Sequence, residues 1–283
     1  MVNWRSGNRA GKKRFWALIL PVLVLGIIPG ALSACAAAPA RTTMPVQAAS
    51  AGAARWSYEG DTGPAYWYAL DPAYAIARDG KAQSPVDILA ADLTVSDALH
   101  KPLVSYRETP FEIENNGHTI ELTPLAEGNA MALDGEIYTL QQFHFHAPSE
   151  HRFDNVSFAM ELHLVHKDSR GNLAVIGMMI DEGAHNEPLG EAFENLPREL
   201  AGAGSEKREA AVNLAELFAS GGGIYRYDGS LTTPPCTEGV KWSISMDPIT
   251  MSRSQIEAFR SLYRGNNRPV QNRYGRPVYA VKD

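Results

Sequence analysis

Two short stretches of the chain alternate apolar and polar residues so regularly that only one kind of element suits them. Gln142-Phe143-His144-Phe145-His146 and Glu161-Leu162-His163-Leu164-Val165-His166 follow a period of two, which sends successive side chains to opposite faces of a β-sheet. Gln142, His144 and His146 then share one face, and Phe143 and Phe145 the other. In the second stretch Ala159, Glu161, His163 and Val165 share a face, opposite Phe158, Met160, Leu162 and Leu164. If the two strands lie side by side, three imidazoles meet at one point. Three neutral histidines with an open fourth position make the donor set of a catalytic Zn²⁺ site.

A lone His-x-His is more often two ordinary strand histidines than a ligand pair. The residues around these histidines argue otherwise. Gln142 and Glu161 each sit two residues before a candidate ligand, on the same strand face. From there they can accept the other ring N–H of an imidazole and fix its tautomer. The expectation is one Zn²⁺ per chain on His144, His146 and His163.

Further motifs occur in order along the chain: Trp56-Ser-Tyr58, Gly63-Pro-Ala-Tyr-Trp67, Gln83-Ser-Pro-Val-Asp-Ile88 and Asn115-Asn-Gly-His118. After Phe143-His-Phe-His146 come Pro148-Ser-Glu-His151, Glu161-Leu-His-Leu-Val-His166, Leu231-Thr-Thr-Pro-Pro235 and Trp242. From Trp56 almost to the C-terminus the chain resembles the α-class carbonic anhydrases in their bacterial form. The resemblance implies a zinc hydro-lyase acting on CO₂ and bicarbonate, a family that is itself the standard example of three-histidine zinc. It also implies a single mainly β (α+β) domain: a large, twisted, mostly antiparallel central sheet of about ten strands, a few surface helices, and zinc at the base of a conical cleft.

Pattern alone gives a compatible outline. Strand-like runs cover Phe111–Asn115, Thr119–Thr123, Met131–Leu133, Ile137–Leu140, Leu173–Ile180 and Lys241–Met246. Helical patterning is confined to Pro188–Leu200, Ala210–Ala219 and Ser254–Tyr263, the last capped by Ser252 or Ser254.

The resemblance assigns further roles residue by residue. Thr232 is the gatekeeper whose hydroxyl donates to Glu150, so that its oxygen can only accept from the attacking hydroxide. Val165, Val175, Leu231, Val240 and Trp242 form an apolar wall for CO₂, with Thr233 beside it. His118 is the proton shuttle, a role suited to a side chain titrating near neutrality. Tyr58 and Asn115 order relay waters. Glu121 stands where relatives usually carry Asn or Gln, and its charge is expected to favour protonated His118. His151 and His166 read as structural, and His100 and His185 as exposed. The Ser84–Pro85 and Pro234–Pro235 bonds are expected to be cis. Bacterial relatives commonly bond a Cys at the position of Ala77 to the counterpart of Cys236, so here Cys236 is expected to be a buried free thiol.

The N-terminus reads differently. Residues 1–35 carry five of the chain's 26 basic residues, no acidic ones, and an apolar run from Phe15 to Ile28. That is a signal-peptide pattern, too short for a comfortable membrane span of about 20 residues. It ends in Leu32-Ser-Ala-Cys35, which looks like a bacterial lipobox with Cys35 as the lipidated residue; ordinary cleavage at a small-residue site nearby is the alternative. Residues 36–55 form an Ala/Pro/Thr-rich tether, and residues 56–283 the enzyme domain. The expected location is the cell envelope, on the periplasmic or extracellular face, with the membrane touched only through the lipid anchor. After removal of residues 1–35 the chain keeps 21 basic against 32 acidic residues, a net charge of −11. That balance argues against a nucleic-acid partner. A homodimer stays open.

Two other readings compete. A catalytically silent binding domain would lack zinc ligands, yet all three are present with Glu150 and Thr232. A zinc hydrolase of the His-Glu-x-x-His kind lacks its motif.

Overall fold

The structure, a computed structural model, describes residues 54–202, 207–218 and 222–281, all within one unit, Thr43–Asp283. The signal segment, Cys35 and nearly all of the tether lie outside the described residues. Two short helices, α1 (Trp67–Leu70) and α2 (Ile76–Asp79), precede the strands. First come β1 (Asp87–Ile88), β2 (Leu93–Val95), β3 (Leu103–Ser105), β4 (Glu108–Asn115) and β5 (Ile120–Pro124). Then follow β6 (Ala130–Leu133), β7 (Glu136–His146), β8 (Arg152–Phe153), β9 (Met160–Lys167) and β10 (Leu173–Glu182). After α3 (Gly190–Glu194) come β11 (Arg208–Asn213), β12 (Ile224–Ser230), β13 (Glu238–Ser245) and β14 (Ile249–Met251). The chain ends with α4 (Arg253–Arg260) and β15 (Val278–Val281).

Among the described residues thirteen strands make one mixed sheet along the path β11-β4-β5-β7-β9-β10-β13-β12-β15-β2, with β6 pairing β7, β3 pairing β6, and β14 pairing β10. This is larger than the expected ten or so. It is mostly antiparallel, with parallel pairings at β10–β13, β10–β14 and β15–β2. The stretch read as helix over Ala210–Ala219 is a correction. Ala210 and Val212 are buried while Glu209 and Ala211 are exposed, and β11 pairs with β4 along the sheet edge. An open edge supplies backbone partners that override the helix propensity of Ala and Glu. Only Leu214–Phe218 continues, as a 3-10 turn. Of Pro188–Leu200, only Gly190–Glu194 is helical. The last helix starts at Arg253, capped by Ser252 in a capping box with Gln255.

One irregularity decides which way the histidines point. Leu140 lies opposite His166 and Gln142 opposite Val165, so Gln141 is an extra residue in β7. A one-residue bulge reverses the alternation downstream. Tyr138 and Leu140 before it, and Phe143 and Phe145 after it, therefore all enter the same core, with Leu162, Leu164, Ile176 and Met178. Phe193 of α3 and Ile256 and Phe259 of α4 cover that face. Gln142, His144 and His146 are sent to the other face. There a smaller cluster gathers Val86, Val175, Tyr227, Val240, Trp242 and Ile244.

Candidate metal centre

Register brings the ligands together as the alternation required. His144 lies opposite His163 across β7–β9, and His146 opposite Glu161. One candidate ligand atom from each of His144, His146 and His163 lies within 4.8 Å of the other two. Each ring has its remaining nitrogen committed. His144 Nδ1 is 2.8 Å from Gln142 Oε1, His146 Nδ1 is 2.6 Å from the Asn266 carbonyl, and His163 Nε2 is 2.7 Å from Glu161 Oε1. The inward atoms are therefore Nε2, Nε2 and Nδ1.

Electrostatics favours neutral rings at two of the three. Burial, then the neighbouring imidazoles, holds His144 well below the usual imidazole range. Burial also lowers His146, against the pull of Glu150. At His163 burial acts the same way, but the Glu161 charge and hydrogen bond outweigh it and raise the net value. Glu161 is itself held well down: burial opposes its charge, and His151 and His163 together overcome that cost. Its Oε2 also accepts the backbone N–H groups of Glu150 and His151, each at 2.8 Å. Gly177, opposite His163 on β10, leaves the space this carboxylate needs. A Cβ there would stand 3.2 Å from Glu161 Oε1 and 2.6 Å from Ile244 Cδ1.

A second group, His151, Glu161 and His163, also clusters tightly. Its atoms are already joined by hydrogen bonds of 2.7 Å, and His151 Nε2 continues to the Tyr227 hydroxyl at 2.6 Å. This is a bonded network with no free lone pair to offer an ion. At the first group, by contrast, His146 Nε2 and Glu150 Oε2 are buried without any hydrogen-bond partner. Three imidazoles with a carboxylate behind them fit Zn²⁺ in donor type and number.

Glu150 is buried between the histidines and the C-terminal segment. Its Oε1 accepts the Arg268 backbone N–H at 2.8 Å. Its Oε2 lies 3.5 Å from His146 Nε2 and 4.0 Å from His163 Nδ1. Thr232 is buried in the Leu231–Pro235 loop, but no hydrogen bond joins its hydroxyl to Glu150, whose Oε2 is unpartnered. The expected donation is therefore not formed in this arrangement. The expected apolar wall is one neighbourhood: Val175, Val240 and Trp242 are buried together, with Val165 and Leu231 packed against them. Val165, Val175, Trp242 and Tyr227 are successive partners across β9, β10, β13 and β12. Trp242 stands 4.9 Å from the His163 ring, edge to face. Thr233 is half-buried, its carbonyl accepting the Cys236 N–H.

His118 lies on the turn after β4, half-buried, its ring stacked on Trp56 at 3.6 Å and 7°. Burial pushes its pKa down. Tyr58 packs edge-on against Trp56; its hydroxyl is buried without a partner and held well above the usual phenol range by burial and the Glu150 charge. Asn115 is engaged at both ends: Nδ2 donates to the Pro197 carbonyl, and Oδ1 accepts from Gly117 N and Tyr263 Oη. His166 is buried against Tyr106 Oη, its pKa pushed down to about 4 by burial. His100 and His185 are exposed. Ser84–Pro85 and Pro234–Pro235 are cis, as is Ala147–Pro148. Cys236 is free and buried, its thiol pushed up to about 11, chiefly by burial.

Two supports escaped sequence reading. Asn266 receives His146 on its carbonyl and ties the His118 and Phe145 carbonyls together through Nδ2. Arg268 is buried and holds Gln83, Ser84 and Ala77 with its guanidinium. Both lie in an irregular segment, where no periodicity marks a role.

The sequence profile of the eukaryotic-type carbonic anhydrases matches residues 62–282. A carbonic anhydrase of Pectobacterium carotovorum is 40% identical over 233 residues, covering 82% of this chain and 93% of that one. The α-carbonic anhydrase of Thermovibrio ammonificans, solved with the inhibitor sulfanilamide, superposes with a TM-score of 0.76 at 40% identity, covering 81% of this chain and all of that one. Dioscorin, solved with ascorbate, shares the fold at TM-score 0.73 and 26% identity, covering 81% and 98%. Fold, profile and identity over nearly the whole domain agree: the chain belongs to the eukaryotic-type, or α, carbonic anhydrase family and is a carbonic anhydrase.

Proposed function

We propose that the chain catalyses zinc-dependent, reversible hydration of carbon dioxide to bicarbonate and a proton. His144 Nε2, His146 Nε2 and His163 Nδ1 hold the metal, and the proton leaves through His118. One observation carries this reading: three imidazoles converge with their other nitrogens already committed to Gln142, Asn266 and Glu161. Bound there, Zn²⁺ supplies Lewis acidity that makes water nucleophilic at neutral pH, carbonic anhydrase being the standard example.

The chain's own residues do the rest. Gln142, the Asn266 carbonyl and Glu161 fix tautomers, so each ring presents a lone pair inward. Arg268 pins one oxygen of Glu150 through its backbone N–H and leaves the other unpartnered, the acceptor that the Thr232 hydroxyl would need in order to orient the nucleophile. Val165, Val175, Leu231, Val240 and Trp242, with Thr233 at their edge, receive an apolar substrate and keep water from competing for the wall. His118, kept neutral by burial, accepts the released proton. Tyr58 borders its path, and Asn115 braces the turn that presents it.

Metal analysis paired with a CO₂-hydration assay tests this. One zinc per chain, loss of both metal and activity to a chelator, and return of activity on adding Zn²⁺ are expected. Full hydration by metal-free protein would sink the reading.

We further propose export and lipid anchorage at Cys35, which would hold the enzyme on the periplasmic or extracellular face of a membrane. Stable anchoring requires two or more acyl chains. Cys35→Ser should release soluble enzyme or block processing; a variant that still sediments with membranes would remove the anchor.

A further inference from the structure

One rung of backbone pairing crosses the sheet straight through the site. Glu114 faces Glu121 across β4–β5, Glu121 faces His144 across β5–β7, and His144 faces His163 across β7–β9. Directly opposed residues of antiparallel strands point to the same side. Ile120 and Leu122, which flank Glu121, enter the core beneath the sheet, so Glu121 stands on the cleft side with the imidazoles. On the next rung the sequence is Gln142, Val165, Val175, Trp242. The metal centre therefore lies between a carboxylate wall and an apolar one.

Among the described residues, no basic group shifts the Glu121 carboxyl. Burial and the Glu114 charge both push it above the usual range. Lys207 reaches only the outer end of this wall: it is tied to Glu112 at 2.6 Å and also feels the Glu114 charge.

We infer that Glu121, backed by Glu114, is a specificity-determining residue that weakens binding of anions at the metal centre, bicarbonate included, while leaving neutral CO₂ unaffected. The inference rests on the proposed function for its link to bicarbonate, but not for its effect on anions in general. CO₂ carries no charge and meets the apolar wall. Bicarbonate carries one negative charge and must leave from beside a second. For unit charges one to two strand spacings apart, about 5–10 Å, in a largely solvated cleft, Coulomb repulsion amounts to about a two- to sixfold change in affinity.

Calorimetric titration of thiocyanate into zinc-loaded protein measures the effect without turnover. The titration is run at pH 8.5, about four units above the ordinary glutamate value. Glu121→Gln should bind thiocyanate about two- to sixfold more tightly, Glu114→Gln less so, and the exposed, distant Glu187→Gln should match wild type. The gain should shrink in 1 M inert salt, where the screening length falls to about 3 Å. In turnover, Glu121→Gln should lower the KM for bicarbonate and leave the KM for CO₂ unchanged. Unchanged thiocyanate affinity in both Glu121→Gln and Glu114→Gln, with folding verified by melting temperature, overturns the inference. An equal gain in Glu187→Gln overturns it too, by reducing the effect to net charge. Tighter thiocyanate binding in a protein that hydrates no CO₂ supports the anion exclusion and overturns the proposed function instead.

Discussion

The histidines at the floor of the cleft and the histidine at its mouth are the same side chain under opposite constraints. His144, His146 and His163 sit on adjacent central strands, and each has one ring nitrogen fixed by a partner at 2.6–2.8 Å. His118 sits on a turn. Its backbone is held by Asn116 Oδ1, while its ring is positioned by stacking on Trp56. A metal ligand needs a single tautomer and direction, which a β-ladder with hydrogen-bond partners provides. A proton carrier must exchange partners, and stacking restrains the ring plane without occupying a nitrogen lone pair.

The largest test of this contrast is at the floor. His163→Ala should cut zinc well below one per chain and take CO₂ hydration down with it; stoichiometric zinc with full activity would dissolve the distinction. At the mouth, His118→Ala should keep its zinc yet lose hydration rate on the order of 10²-fold in dilute buffer. An imidazole-type buffer should restore most of that rate, since it collects the proton directly. An unchanged rate in poorly buffered medium would take His118 out of the pathway.

Gln142→Ala probes the fixed tautomer itself. It should weaken zinc affinity by roughly ten- to a hundredfold, as lost supporting hydrogen bonds commonly do, measured by competition with a chelator. Equal affinity would mean that the ladder alone orients His144. Trp56→Ala probes the stacked ring with a smaller effect. Burial lowers the His118 pKa, so exposing the ring should raise it toward about 6.5. A protonated ring accepts no proton, so the acid limb of hydration in dilute buffer should move to higher pH in the variant. An unmoved limb would assign the lowered pKa to other neighbours. The smallest expected effect is none at all: because Cys236 is free and buried, reductant should leave the melting temperature unchanged, and a clear drop would reveal a pairing between chains.

Much of the floor was legible because strand alternation is a local property. Once Phe143 and Phe145 enter the main core, His144 must take the opposite face of the sheet, and the same holds for His163 between Leu162 and Leu164. Gln142 and Glu161 were legible for the same reason, lying two residues away on the same face. Asn266 and Arg268 were not. Their contacts with His146 and Glu150 run through a backbone carbonyl and a backbone N–H, groups that nearly every residue carries, so side-chain identity gives no sign of those contacts. The strand over Arg208–Asn213 was misread as helix because its composition suits either element, and only the exposed edge of β4 decided between them.

The sequence by itself determined which residues could bind a metal, which face of each strand they would occupy, and that the domain would be mainly β. These follow from side-chain chemistry and a period of two, which need no distant partner. The tertiary structure alone decided that β7 and β9 pair with His144 opposite His163, that the Gln141 bulge turns the upstream half of β7 into the same core, and that Glu121 and Trp242 stand on opposite sides of the imidazoles. Register, bulges and neighbouring strands depend on contacts between residues far apart in the chain, and those exist only once the sheet has formed.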